Sequence, residues 1–213
     1  MIQIGEHENV VVASFEQKAN FVELFSPEWR LTMIEKLRYV LFSIDAVQPF
    51  VHADCDIVYY RPFTQRLLTL LTTSGLDLIF QADSSQNVCL GFFVCKPTKR
   101  TYDLFAASIK LLEEGNAENF HQAFNKLLNS QLFSDIKYGL LGSDAYSIWR
   151  QTDGKLWDSS QPVNKIFDAV FMHHANFTVG IDNKLNLITK VRENMVFKSP
   201  IMFQTPVHYE FSL

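Results

Sequence analysis

Two rhythms of apolar residues run along the chain. ENVVVASF, residues 8 to 15, is a short uninterrupted run, and its consecutive valines favour the extended backbone of a buried strand. Leu31, Ile34, Leu37 and Leu41 instead recur every three or four positions, the buried stripe of a helix. Ser26 can cap that helix, Pro27 suits its first turn, and Glu28 complements the positive end of its dipole.

PFVHADCDIVYY, residues 49 to 60, reads as one strand ending in carboxylates, with Pro62 stopping regular pairing soon after. A helix is predicted over 64 to 73, strands at LDLIFQAD and CLGFFVCK, and helices over 101 to 114 and 118 to 129, closed by the polar break Asn129, Ser130. From about 131 the pattern is less regular, and this part is expected to pack as a cap beside the sheet. Strands alternating with helices predict an α/β layered sheet, in which ligands bind at the carboxyl ends of strands. With no repeat or linker composition, residues 1–213 are expected to form one domain.

The chain is 47% hydrophobic and 20% charged over 213 residues, which supports a sizeable core and argues against disorder. A net charge of -4 gives no broad basic surface, so nucleic acid is not an expected partner and an anionic ligand needs a local site or a metal. No run of about 18 apolar residues and no basic start followed by an apolar stretch is present, so a soluble, cytoplasmic protein without an integral membrane segment is expected. Cys55, Cys89 and Cys95 lack zinc-site spacing and read as free thiols. Six residues apart on one strand, Cys89 and Cys95 would face the same side.

Asp54 and Asp56 carry the chemistry. On extended backbone both would point one way with Cys55 opposite, and two carboxylates so placed repel unless a cation lies between them. Hard oxygen ligands suit Mg²⁺ or Mn²⁺, which complete their shells with phosphate oxygens and water. A solvated strand end is the simpler reading of an isolated Asp-x-Asp, and a haloacid-dehalogenase-type phosphohydrolase with Asp54 as nucleophile is an enzymatic alternative.

VHADCDIVYYRPF resembles the metal-binding strand of nucleotide-diphospho-sugar transferases of the GT-A superfamily. In the same order, DLIFQADSSQNVCLGFFVCKPT resembles their acidic turn and Gly-Phe strand, with Asp83 and Gly91 at the marked positions. NFHQAFNKLL resembles their Asp-Gln-x-x-Phe/Asn helix, where Gln122 and Asn125 match and His121 replaces the usual Asp. MHHANFTVGIDNKLNLI resembles the His-x-Asn segment followed by Gly and Lys that closes the nucleotide site.

The resemblance implies a GT-A-like, Rossmann-type layered sheet with helices on both faces. Little chain precedes Asp54, so that domain is expected to be minimal or to lack its beginning. The implied activity is a metal-dependent glycosyltransferase that moves a sugar from a nucleotide-diphospho-sugar, UDP-sugar favoured, to a hydroxyl acceptor with retention. Asp54, Asp56 and His174 would hold Mn²⁺ or Mg²⁺. Asp83 and Gln122 would act at the reacting sugar, and Gly91, Gly180 and Lys184 would contact the donor. His173 is adjacent to His174 and on a strand would face away. Lys36 is a further donor contact, set against ordinary pairing with Glu35 or Glu28. A transferase fold that binds its ligand without turnover is the non-catalytic alternative.

Overall fold

The computed structural model describes residues 26–83, 87–142, 146–148, 157–160, 163, 171–194 and 210–211. The strand expected at 8 to 15 lies outside them. The first described element is helix α1, Pro27–Asp45, and its cap forms as the sequence predicts: Ser26 Oγ accepts from the Trp29 amide. Ile34, Leu37, Val40 and Ile44 are its buried residues, whereas Leu31 is 53% exposed. The inward row therefore runs 34, 37, 40, 44, with Leu41 packed at its flank.

PFVHADCDIVYY is not one strand. It divides into β1, Phe50–Ala53, and β2, Ile57–Tyr59, with a turn at Cys55 and Asp56 between them. The reason is a change of partner. β1 pairs antiparallel with β4, Val88–Cys95, while β2 pairs antiparallel with β7, Met172–His174. Between these segments lie α2, Thr64–Ser74, and β3, Leu78–Ala82. α3, Lys99–Glu113, and α4, Phe120–Leu128, follow β4.

β5, Tyr138–Leu141, corrects the expectation of a cap from 131 onward, because it enters the sheet parallel to β3. The main sheet has the order β1-β4-β3-β5-β8, with β8 at Glu210–Phe211; the second has the order β2-β7-β6, with β6 at Tyr146–Ile148. Helix α5, Ile181–Glu193, follows β7.

Alternation along the strands sorts side chains onto two faces, as period-2 geometry requires. Leu78, Phe80, Phe93 and Cys95 pack with α1, α3 and α4, while Ile79, Phe92 and Val94 pack with Leu67 and Leu71 of α2. The fold is thus α/β, a mixed sheet with helices on both faces, consistent with a Rossmann-like nucleotide-sugar transferase.

Register in β4 overturns the expectation for its cysteines. Phe80 stands opposite Phe93 but Gln81 opposite Cys89, so β4 is irregular between Cys89 and Phe93. A bulge resets the alternation. Cys95 packs in the core shared with α1 and α3, whereas the Cys89 sulfur lies 3.8 Å from His174 Nδ1.

Candidate metal and donor site

Asp54 and Asp56 flank the seam between the two sheets. The Asp54 amide donates to Gly91 O at 2.7 Å, tying it to β4, and Asp56 O accepts from the Ala175 amide at 3.0 Å, tying it to the segment after β7. The carboxylates converge because the chain turns, not because it is extended. Cys55 is exposed at that turn.

One ligand atom each from Asp54, Asp56 and His174 lies within 4.8 Å of the others. His174 Nε2 is 3.2 Å from Asp56 Oδ1, and its Nδ1 is 2.9 Å from Gln81 Oε1. β7 holds both histidines buried, with His173 opposite Val58 and His174 opposite Ile57. His174 alone joins the acidic pair.

Gly91 forms the floor. A Cβ there would lie 2.3 Å from His174 Cε1 and 2.9 Å from Asp54 Oδ2, distances no side chain tolerates. Two lysines complete the group: Lys36 donates to Asp54 Oδ1 and Lys184 to Asp56 Oδ2. Lys36 therefore leaves Glu35 to Arg38, which also bonds Glu113. Lys184 is placed by Gly180, which precedes α5 at φ +86°, a conformation L side chains rarely adopt.

Burial alone would raise the Asp54 carboxyl, but His52 and then the Lys36 ammonium overcome it and hold it well below the usual carboxylate range. Burial likewise opposes ionisation of Asp56, and His174 followed by Lys184 lowers it below its ordinary value. Two ionised carboxylates and an imidazole nitrogen form a hard donor set that fits a divalent cation such as Mn²⁺ or Mg²⁺.

Asp83 sits beside this group: Asn176, two residues beyond His174, donates to Asp83 Oδ1 at 3.4 Å. Gln122 is further out. Its Oε1 accepts from the Glu118 amide at 2.7 Å, and together with Asp83, Asn87, His121 and Asn125 it lines a cavity of about 460 Å³. Asn125 clamps the start of β4, accepting from the Val88 amide at 2.9 Å and donating to Val88 O at 3.2 Å. Lys99 and Arg100, in the first turn of α3, pair with Asp103 and Asp135, as ordinary surface charges do. Trp157 is core, packed with Ala175, Leu187 and Val191.

Sequence reading missed two neighbours. Gln81 is fully buried at the His174 ring, and His52 Nε2 lies 3.7 Å from Asp54 Oδ1. For Gln81 the signal was present: it is the one polar residue in the apolar run of β3.

A family model for nucleotide-diphospho-sugar transferases matches residues 10–188, most of the chain and every residue of the cluster. The chain belongs to the nucleotide-diphospho-sugar transferase family. It is a glycosyltransferase, with a nucleotide-sugar as donor. Neither the comparison with curated proteins nor that with solved structures gives a match. Among the transferase's described residues, no helix is long and apolar enough to cross a membrane.

Proposed function

We propose that this transferase moves a sugar from a nucleotide-diphospho-sugar, a UDP-sugar by preference, to a hydroxyl acceptor with retention, using Mn²⁺ or Mg²⁺ held by Asp54, Asp56 and His174. The observation that carries the reading is the convergence of those three ligand atoms within 4.8 Å on a floor that only Gly91 leaves open. A divalent cation there would offset the negative charge of the departing diphosphate.

The chain's own groups supply the rest. Lys184 and Lys36 bring two ammonium groups to the same point, so each can turn from its carboxylate to a phosphate oxygen when a donor enters. Gly180 and Gly91 let backbone come close to the donor. Asp83, bonded by Asn176, would face the reacting sugar, and Gln122 borders the adjoining cavity in which sugar or acceptor hydroxyls would be held. The phosphohydrolase alternative loses support, since the family matched over residues 10–188 is one of sugar transferases.

A titration of UDP-sugars with and without Mn²⁺, paired with release of UDP, tests this reading. Asp54→Asn and Asp56→Asn should keep the circular dichroism of the parent. They should lose more Mn²⁺-dependent donor affinity than the roughly 10 to 100-fold typical of losing a mere supporting partner. Cys55→Ser, at the exposed turn, should bind as wild type does. Parental Mn²⁺-dependent affinity in both aspartate variants would remove the site.

A further inference from the structure

His174 has two ring nitrogens, and the Asp54, Asp56 and His174 cluster uses only one. Nε2 faces Asp56 Oδ1 at 3.2 Å, while Nδ1 faces Gln81 Oε1 at 2.9 Å. An amide oxygen can only accept, so the Nδ1 proton is the one that Gln81 engages. In the metal-free site Nε2 can share a proton with Asp56; once that proton leaves, the Nε2 lone pair is aimed at the carboxylates and at any cation between them. A ring nitrogen and a carboxylate oxygen at that distance can serve one cation as a pair of ligands.

Gln81 is placed for this by the register of β4. The slip that sets Gln81 opposite Cys89, rather than continuing the pairing from Phe80, brings both side chains to Nδ1. Cys89 is the weaker neighbour, its sulfur 3.8 Å from Nδ1. Gln81 is 0% exposed in an otherwise apolar strand, a position where a polar side chain is costly unless it has a dedicated partner.

We infer that Gln81 is a positioning residue: it holds the proton on His174 Nδ1 and so presents Nε2 to the cation of the Asp54, Asp56 and His174 site. The inference rests on the metal reading above. It assigns to this chain an uncharged supporting partner, which fixes ring orientation without adding a third negative charge beside two aspartates. Metal-ligating histidines in general depend on such a partner for tautomer and orientation.

Two measurements separate this inference from the reading beneath it. The first needs no metal: long-range nitrogen to carbon-bound-proton NMR spectra of the ¹⁵N-labelled full chain report which His174 nitrogen is protonated. Wild type should show the proton on Nδ1, and Gln81→Met, which keeps length but removes the acceptor, should move it wholly or partly to Nε2. The second is Mn²⁺ alone, titrated by electron paramagnetic resonance. Gln81→Met should weaken binding by roughly 10 to 100-fold, and Gln81→Glu, which restores an acceptor oxygen at the same reach, should recover most of it.

A wild-type His174 protonated on Nε2 alone, with no proton on Nδ1, would overturn the inference without any variant having to fold. So would unchanged tautomer and unchanged Mn²⁺ affinity in Gln81→Met, with the metal site left standing. Wild-type protein that binds no Mn²⁺ would overturn the metal site and this inference together.

Discussion

Gly91 is where packing and chemistry make the same demand. The backbone of β4 passes so close to His174 and Asp54 that hydrogen is the only substituent the site admits. Gly91→Ala would push a methyl group into the imidazole 2.3 Å away, and both the ring and the seam must shift. We expect a stability loss of about 1–3 kcal/mol, the usual cost of overpacking, in urea unfolding. Mn²⁺-dependent donor binding should fall far more than that loss explains. Near-parental donor binding would mean that the floor under His174 yields easily. Gly91 could be singled out from sequence only through the family resemblance, since nothing in CLGFFVCK says which neighbour presses on it. Gln81 is the converse case: its polarity stood out in an apolar strand, yet its partner lies 93 residues away.

At the level of elements, local signals were legible and partner-dependent ones were not. The Ser26 cap, the four longer described helices before residue 130 and the two central strands follow from capping chemistry and periodicity. The division of PFVHADCDIVYY depends on β1 and β2 choosing different sheets, and the parity change in β4 on a bulge opposite β3; neither leaves a mark in local pattern. The stripe of α1 is an intermediate case. A period of 3.6 accommodates both Leu41 and Val40 after Leu37, and packing against α3 and the sheet selects the row through Val40 and Ile44. The two rows make different predictions. Leu37→Ala, at 1% exposure, should cost about 2–5 kcal/mol in denaturant unfolding, while Leu31→Ala should stay within about 0.5 kcal/mol. Equal costs would restore the row through Leu31.

For the whole molecule, the buried histidines set the response to acid. Burial, and then the nearby Lys36 charge, pushes His121 down to about 3, and burial followed by His174 pushes His173 down to about 4. Both are neutral in the folded chain, whereas the unfolded chain takes up their protons near 6.5. Each therefore contributes stability that is complete above about pH 6.5 and declines as pH falls, until the folded imidazoles are protonated too. The slope is at most roughly 1.4 kcal/mol per pH unit for each histidine. Asp54 and Asp56 act lower: their contribution is complete above the ordinary carboxylate range and is lost as the pH falls through it toward their lowered folded values. Urea midpoints measured from pH 7 to 5 should fall, and His121→Gln should flatten the decline; a parental slope in that variant would assign the acid sensitivity elsewhere. The same scale gives the turn at Cys55 its meaning. Asp54 is bonded to one sheet, and Asp56 and His174 belong to the other. On the proposed reading, a cation that gathered all three would act as a rivet through two plates: it would close the joint as it binds, and breathing of the joint would eject it. Occupancy of the site and closure of the joint between the two sheets would then rise and fall together.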